Sequence, residues 1–191
     1  MPCLDLRNGR VVKGIHFQDL IDIGDPVVLA KAYEEAGADE IGMLDITASL
    51  EQRPAEFDVL RRVAAAVKIP VTFGGGLASV TDVEQALAAG ARRASLSSVA
   101  FRDPDLVAEA VKRFGGPHIV VAIDADRNAK LPSHREVRLD GGRTKTGVDA
   151  VEFARKMADL GAGELLPTSI PGDGAKRGYD LDLIKQIADA T

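Results

Sequence analysis

Short apolar runs alternate with amphipathic stretches along the chain at intervals of roughly 30 residues. This pattern is typical of parallel β/α units, in which each strand is followed by a helix that packs outside the sheet. Six such units are predicted. Their strands centre on residues 3–6, 40–46, 70–73, 93–96, 119–124 and 164–168, and their helices begin near Pro26, Ala55, Thr81, Pro104, Val148 and Leu181.

Helix-boundary signals support these units. Asp25-Pro26 and Asp103-Pro104 each place an N-cap carboxylate before a proline of the first turn, and Thr81 to Glu84 predicts a capping box. Three glycines are predicted to end the preceding helices: Gly37, Gly90 and Gly161. Between strand five and its helix, residues 126–147 are polar and too long for a plain connection, so we expect a mobile lid or a small hairpin there.

An internal repeat extends this prediction. Residues 37–46 and 161–170 align with each other, and apolar strands ending in Asp5 and Asp124 recur at a similar spacing. A repeat of this period is typical of a duplicated half-barrel in a TIM-type (β/α) barrel. A doubly wound open sheet of six strands also fits the count, but the repeat and the paired aspartates favour the barrel.

We therefore expect one domain over residues 1–191, with a first half-barrel at about 1–115 and a partial second half at about 116–191. A complete barrel has eight units and about 250 residues, so six units predict a barrel that is incomplete unless another chain closes it. Open edge strands would then favour a homo-oligomer.

Composition limits the kinds of partner that the chain is expected to have. With 46% hydrophobic and 28% charged residues the chain can bury a substantial core, and its net charge of -5 argues against nucleic acid or an anionic membrane as the main partner. The single cysteine, Cys3, cannot form an internal disulfide, and no signal peptide or membrane-length apolar segment is evident, so we expect a cytoplasmic protein. The histidines at 16, 118 and 134 are too scattered to predict a metal site, and no cofactor is indicated.

Candidate chemistry lies at the predicted strand ends, where barrel enzymes bind substrate. In a barrel, strands one and five face each other, so Asp5 and Asp124 could act on opposite sides of one substrate as general acid and general base. The glycines at 74–76 and the serines at 95, 97 and 98 follow strands three and four and predict a phosphate site. Residues 168–174 after strand six predict half of a second one.

Five linked motifs carry a family resemblance. They are Cys-Leu-Asp-Leu-Arg-Asn-Gly-Arg-Val-Val-Lys-Gly (3–14), Leu-Asp-Ile-Thr-Ala-Ser (44–49), Phe-Gly-Gly-Gly (73–76), Val-Ala-Ile-Asp-Ala-Asp-Arg (121–127), and Thr-Ser-Ile with Asp-Gly-Ala-Lys-Arg-Gly-Tyr-Asp (168–180). Together they resemble the cyclase subunit of imidazole glycerol phosphate synthase, over essentially the whole chain. The resemblance implies a histidine-biosynthesis lyase that takes ammonia from a glutaminase subunit. It would convert a ribulosyl aminoimidazole-carboxamide nucleotide bearing two phosphates to imidazole glycerol phosphate and an aminoimidazole carboxamide ribotide.

The resemblance also implies a role for each matching residue. Asp5 and Asp124 would be the catalytic pair, Lys13 would contact substrate from the loop after strand one, and Asp45 would line the mouth. One phosphate site would comprise Gly75, Gly76, Ser97 and Ser98, and part of the other would comprise Thr168, Asp173 and Gly174. A charged ring for ammonia entry would include Glu40, Arg93 and Glu164.

The chain departs from the family pattern at several positions. Ser97 stands where the family usually has asparagine, and Pro167 is predicted to interrupt strand six and remove a backbone donor. The family's ring arginine on strand one would precede Met1, and the last quarter of the family barrel would follow Thr191, so we expect an isolated monomer to bind substrate weakly.

Two alternatives remain at this point. One is a non-catalytic barrel fragment that folds by self-association. The other is a related aminoaldose-to-ketose phosphosugar isomerase, which also uses two strand-end carboxylates; the motifs at 44–49 and 173–180 favour the cyclase.

Overall fold

The computed structural model describes residues 1–15, 18–51 and 53–191. Its strands are β1 (Cys3–Arg7), β2 (Arg10–Ile15), β3 (Gln18–Gly24), β4 (Ile41–Asp45), β5 (Val71–Gly74), β6 (Arg93–Leu96), β7 (Ile119–Arg127), β8 (Arg135–Leu139), β9 (Thr144–Asp149) and β10 (Glu164–Ser169). Its helices are α1 (Pro26–Glu35), α2 (Ala48–Glu51), α3 (Phe57–Ala66), α4 (Val80–Ala88), α5 (Ser98–Arg102), α6 (Pro104–Phe114), α7 (Ala150–Asp159) and α8 (Leu181–Ala188).

All six predicted strands and their six helices are present, each within about three residues of its predicted position. The α/β class and the mostly parallel pairing are therefore confirmed. The chain divides into two compact units, one comprising Met1–Lys13 and Leu20–Leu96 and the other Gly14–Asp19 and Ser97–Thr191. The number of barrel units and the half-barrel boundaries stay predictions.

The first unit is built on four parallel strands in the order β1-β4-β5-β6. The side chains that form its core come from these strands and from α1, α3 and α4, with Leu6, Ile41, Met43, Phe73 and Leu96 all fully buried. An antiparallel partner, β2, follows β1 through a two-residue turn at Asn8-Gly9, where both residues have positive φ (51° and 72°). Asn-Gly is the preferred sequence for such a turn.

This hairpin corrects one expectation. Lys13 was predicted to lie in a loop after strand one, but it lies on β2, beside β1. The prediction failed because the run Arg10–Ile15 is short and mixed in polarity, and its strand character depends on pairing with β1.

The second unit contains the parallel pair β7 and β10 with α6, α7 and α8. Beyond this pair, β8 and β9 form an antiparallel extension of β7. The long polar stretch at 126–147 is therefore a hairpin, which is one of the two forms predicted for it. Whether it also moves as a lid stays a prediction.

Two of the predicted N-caps differ from the structure. The Asp25 carboxylate accepts from the amides of Val27 and Val28, as predicted, but the Asp103 side chain makes no capping hydrogen bond. The predicted box at Thr81 to Glu84 is also wrong. Helix α4 begins at Val80, and its cap is Ser79, which accepts from Asp82 N while the Asp82 carboxylate accepts from Ser79 Oγ. The predicted N-cap lies two residues after the observed one because Ser79 and Thr81 are both favourable N-cap residues.

Pro167 does not interrupt its strand. β10 runs from Glu164 to Ser169 and pairs with β7 throughout. Ile170 N donates to Ala125 O on β7. Only every second amide of a strand is directed at a given neighbour, so the amides directed at β7 belong to the residues on either side of Pro167. The nitrogen of Pro167 therefore faces away from β7, and no hydrogen bond of this pair is lost, which is how proline is tolerated in a strand.

Buried carboxylates tie the β8–β9 hairpin together. Glu136 is 4% exposed and accepts from Gly147 N (2.8 Å) and Asn128 Nδ2 (3.1 Å). Burial alone would raise the pKa of Glu136, but these hydrogen bonds and the Arg138 charge outweigh it and hold the pKa below its usual value. Asp149 is also buried, and hydrogen bonds from Ser133 and from the start of α7 lower its pKa against the same burial effect.

These depressed pKa values predict acid sensitivity. A carboxylate whose pKa is lower in the folded state stabilises the fold above its unfolded-state pKa of about 4, and this contribution is lost as pH falls through the folded-state value. We therefore expect the thermal midpoint to be flat from about pH 7 to 5 and to fall below about pH 4. Glu136→Gln should show a lower midpoint at pH 7 and a shallower fall with acid. A variant whose pH dependence equals that of the unsubstituted chain would contradict this assignment.

Candidate active site

Asp5 lies on β1 in the first unit, with a largely buried side chain. Its carboxylate Oδ2 is 3.3 Å from Lys13 Nζ on the neighbouring strand β2. The Asp5 side chain is 17% exposed and that of Lys13 is 52% exposed, so this pair is open to solvent on the lysine side. The structure thus brings together a predicted catalytic carboxylate and a predicted substrate-binding ammonium group.

Asp45 ends β4, as predicted, but its carboxylate is fully buried. Both of its oxygens accept from the Arg53 guanidinium, at 2.7 and 2.8 Å. Oδ1 also accepts from the amides of Thr47 and Ala48. In this structure the carboxylate is surrounded by donors of its own chain.

The glycine triplet after β5 is explained by close backbone approach. Gly75 and Gly76 have positive φ (89° and 74°). A Cβ at Gly75 would lie 2.1 Å from the carbonyl oxygen of Asp45, and one at Gly76 would lie 2.7 Å from the Cβ of Ala48. Only glycine fits either position, and the turn is consequently seated against the segment that follows β4.

At the start of these strands, Glu40 and Arg93 form an ion pair at 2.5 Å. Thr72 Oγ1 also donates to Glu40. Burial opposes ionisation, but the hydrogen bonds from Arg93 and Thr72 outweigh it and lower the pKa of Glu40. Two of the three predicted ring residues are therefore in contact, while Glu164 begins β10 in the second unit.

Asp124 lies on β7 in the second unit and has a paired residue on each of the two neighbouring strands. It is paired across the sheet with Thr168 on β10 and with Arg138 on β8. Directly paired residues project from the same face of a sheet, so a carboxylate, a hydroxyl and a guanidinium form one row. The alternate residues Ile119, Val121, Ile123 and Ala125 are at most 1% exposed, and α6 and α7 pack on β7, which places the row on the face opposite these helices.

Arg138 supplies positive charge near Asp124. Its Nη2 lies 2.6 Å from Asp126 Oδ2 and 3.9 Å from Glu136 Oε2. The residue is 9% exposed, and its Nε makes no hydrogen bond with any described residue. Arg138 is thus a buried cation with one donor available on the face that carries Asp124.

Ser97 and Ser98 lie at the start of α5, both half-buried. Ser97 makes no capping hydrogen bond, whereas Ser98 Oγ accepts from Asp140 N at 3.1 Å. Asp140 in turn binds Arg102 Nη2 at 2.6 and 2.7 Å. These contacts tie the serine pair to the β8–β9 turn.

The segment after β10 is closed by its own backbone and by Asp180. The amide of Asp173 donates to Ser169 O at 2.9 Å, and Gly174 has a φ of 67°. Asp180 accepts from Ser169 Oγ (2.9 Å), from Arg135 Nη2 (3.0 Å) and from Leu183 N (3.1 Å). The predicted second phosphate segment is therefore anchored to both β8 and the start of α8.

Three of these residues were not found from the sequence: Arg53, Arg138 and Asp180. Asp180 binds Arg135, which is 45 residues away, and Arg138 lies in a hairpin whose register no periodicity reveals. Arg53 binds Asp45 across a connection whose backbone path the sequence pattern does not indicate. His16 lies outside the described residues. Within the described part of the chain, no group of three or more His, Cys, Asp or Glu residues converges as a metal site requires, and no helix is both long and apolar enough to cross a membrane.

Comparison with known proteins identifies the family of the chain. A family model described as "Histidine biosynthesis protein" matches residues 1–191. The chain is 50% identical over 189 residues to "Imidazole glycerol phosphate synthase subunit HisF" of Prochlorococcus marinus (strain NATL2A), an alignment that covers 99% of this chain and 74% of the relative. It is 52% identical over 190 residues to the protein of the same name from strain MIT 9211, covering 100% of this chain and 74% of the relative. The chain therefore belongs to the histidine biosynthesis protein family, among the relatives of imidazole glycerol phosphate synthase subunit HisF.

Proposed function

We propose that this chain catalyses the cyclase reaction of imidazole glycerol phosphate synthase, with Asp5 and Asp124 as its acid–base pair. The observation that carries the proposal is the row of Thr168, Asp124 and Arg138, which sets a carboxylate beside two residues with hydrogen-bond donors on the face of β7 opposite α6 and α7. Each proton transfer by a positioned carboxyl group typically contributes about 10²–10⁴-fold to the rate.

The reaction gives the two carboxyl groups different tasks. Ammonia adds to a carbonyl carbon of the ribulosyl chain, the carbonyl oxygen leaves as water, and later steps release the ribotide amine and close the imidazole ring. The nitrogen that attacks must lose protons, and the departing oxygen and amine must gain them. One carboxylate therefore accepts protons while the other, as an acid, donates them. Lys13, beside Asp5, supplies a cation for developing negative charge.

The two phosphates of the substrate would bind at the segments that end β5, β6 and β10. Gly75 and Gly76 present backbone without side chains, and Ser97 makes no capping hydrogen bond and keeps its hydroxyl for a ligand. Thr168, Asp173 and Gly174 would contribute to the other phosphate site. For Asp45, by contrast, the contacts with its own chain support a structural role.

We further propose that ammonia reaches the site from a glutaminase subunit, past Glu40, Arg93 and Glu164. The ion pair of Glu40 with Arg93 is largely buried, with side chains 16% and 27% exposed. A partly desolvated pair of this kind holds its geometry better than an exposed one.

Glu40→Gln is expected to lower the ratio of glutamine-dependent to ammonium-dependent turnover. The variant removes the charge that holds Arg93 and leaves a similar shape. We expect this ratio to fall by about fivefold or more, since a misplaced buried arginine disturbs the entry path. Assays with the glutaminase subunit present and with ammonium alone measure the two rates. Arg61→Lys, in an exposed pair with Asp58, is the control. An unchanged ratio would argue against an entry route at Glu40.

The TIM-type (β/α) barrel of six units, and its self-association through open strand edges, stay part of this proposal. The strand β10 supports self-association, because all six of its residues are half-exposed and β7 is its partner among the described strands. Light scattering on the purified chain would measure the assembly state.

The cyclase and the isomerase alternative differ in the substrate that they consume. The cyclase consumes the ketose form of the nucleotide only with ammonium present, whereas an isomerase converts the aminoaldose form without it. Incubating the chain with each substrate, with and without ammonium, tests the proposal. Conversion of the aminoaldose alone would overturn it.

A further inference from the structure

All three nitrogens of the Arg53 guanidinium are hydrogen-bonded. Its Nη1 donates to Asp45 Oδ2 (2.7 Å) and to Pro54 O (3.3 Å). Its Nη2 donates to Asp45 Oδ1 and to Thr47 Oγ1, both at 2.8 Å, and its Nε donates to Glu51 Oε2 at 2.8 Å. All five N–H groups of the guanidinium therefore have an acceptor.

Asp45 stabilises the charged form of Arg53. The hydrogen bonds that Arg53 donates to Asp45 raise the pKa of Arg53, and burial, which opposes this, is the weaker effect. The Asp45 side chain is 0% exposed and that of Arg53 is 24% exposed. A bidentate pair in this geometry is stronger and more directional than a surface ion pair.

The pair fixes the backbone that follows β4. Asp45 Oδ1 accepts from Thr47 N (3.3 Å) and Ala48 N (3.1 Å), and Arg53 N donates to Ala48 O (3.1 Å). These hydrogen bonds join residues 45–48 to Arg53. We call residues 45–48 together with Arg53 the β4 loop.

The β4 loop is the surface against which the glycine turn sits. The position of a Cβ on Gly75 is 2.1 Å from Asp45 O, and that of a Cβ on Gly76 is 2.7 Å from Ala48 Cβ. Backbone groups in such close contact cannot shift independently. The position of the turn at Gly75 and Gly76 therefore depends on the shape of the β4 loop.

We infer that Arg53 is a positioning residue: through Asp45 it holds the β4 loop that fixes the Gly75–Gly76 turn, and so it sets the affinity of that turn for phosphate. The phosphate step of this inference rests on the proposed function, whereas the positioning step does not. Asp45 serves the site by shape rather than by touching substrate.

Lysine cannot take the place of Arg53. An ammonium group is a point charge and cannot bridge both Asp45 oxygens and Thr47 in one plane, although it keeps the charge. Arg53→Lys therefore tests geometry, and Arg61→Lys on α3, whose partner Asp58 is exposed, is the matched control.

Hydrogen exchange tests the positioning step directly. In Arg53→Lys we expect amides in peptides covering residues 45–51 and 73–77 to exchange at least about tenfold faster, while those in α4 stay unchanged. The control variant should match the unsubstituted chain in all of these peptides. Unchanged exchange at 73–77 in Arg53→Lys would overturn the inference, whatever the activity.

Binding and kinetics test the phosphate step. Arg53→Lys should raise the dissociation constant of inorganic phosphate and the KM for the bisphosphate nucleotide by about tenfold, with kcat changed by less than about threefold. Asp45→Asn should do the same, and the double variant should be no worse than either single one, because both act through one contact. A fall in kcat with constant KM, or additive effects, would contradict the inference. Faster exchange at 73–77 with unchanged phosphate binding would instead locate the error in the proposed phosphate site.

Discussion

Asp124→Asn is expected to lower ammonium-dependent turnover by about 10²–10⁴-fold, the typical contribution of one general acid or base. Asparagine keeps the shape of aspartate and its hydrogen-bonding reach but cannot exchange a proton at this position. Because Thr168 and Arg138 remain in register on both sides, we expect the row to keep its geometry. Substrate affinity should therefore change by less than about threefold.

A matched control is available on the same strand. Asp126 lies two residues further along β7, on the same face, and its carboxylate is bound by Arg138 at 2.6 Å. Asp126→Asn should lower turnover by less than about tenfold, since it removes a charge but no proton-transfer group. Steady-state kinetics with saturating ammonium measure both variants. Equal losses in the two would show that general negative charge on this face, rather than Asp124 itself, matters.

Gly75→Ala is expected to destabilise the protein by about 3–5 kcal/mol, the combined order of overpacking and backbone strain. The new Cβ would lie 2.1 Å from a carbonyl oxygen, in a residue whose φ is 89°. Such a loss is a large part of a typical folding stability of about 5–15 kcal/mol. Denaturant unfolding measures it.

Gly37→Ala separates the two causes. Gly37 has the same φ of 89° at the end of α1, but a Cβ there would meet nothing within 4 Å. It should therefore cost only about 1 kcal/mol, from the left-handed backbone alone. If both variants lose the same free energy, the close approach of the glycine turn to the β4 loop is not what requires Gly75.

The parallel units were predictable because their apolar runs are self-contained signals. The strands around Phe73 and Leu96 are buried on nearly every residue, and such runs with amphipathic helices between them leave few other folds. The glycines that end helices were equally clear, because positive φ is inexpensive for glycine alone.

The sequence signal was weaker where structure depends on pairing. The β1–β2 hairpin was missed because β2 has no apolar run of its own, although Asn8-Gly9 is a hairpin signal. The cap of α4 was misplaced because several neighbouring residues can accept the same amide. Pro167 was judged harmful because the sequence does not show which side of a strand its nitrogen faces.

The candidate site was predictable in its members rather than in their contacts. Strand ends and motif resemblance identified Asp5, Lys13 and Asp124, and the first two lie together. The resemblance also named Asp45, but no sequence pattern indicated that Arg53 binds both of its oxygens. Ion pairs between loop residues depend on backbone geometry that neither periodicity nor composition encodes.

The most direct test of the proposed function is to follow nitrogen from ammonia into product. The purified chain is incubated with the bisphosphate ketose nucleotide at saturating ¹⁵N-ammonium, and the products are examined by NMR and mass spectrometry. The account predicts imidazole glycerol phosphate with one ¹⁵N atom in its ring, formed in equal amount with unlabelled aminoimidazole carboxamide ribotide. Substrate that remains intact, or is altered without taking up the label, would contradict it.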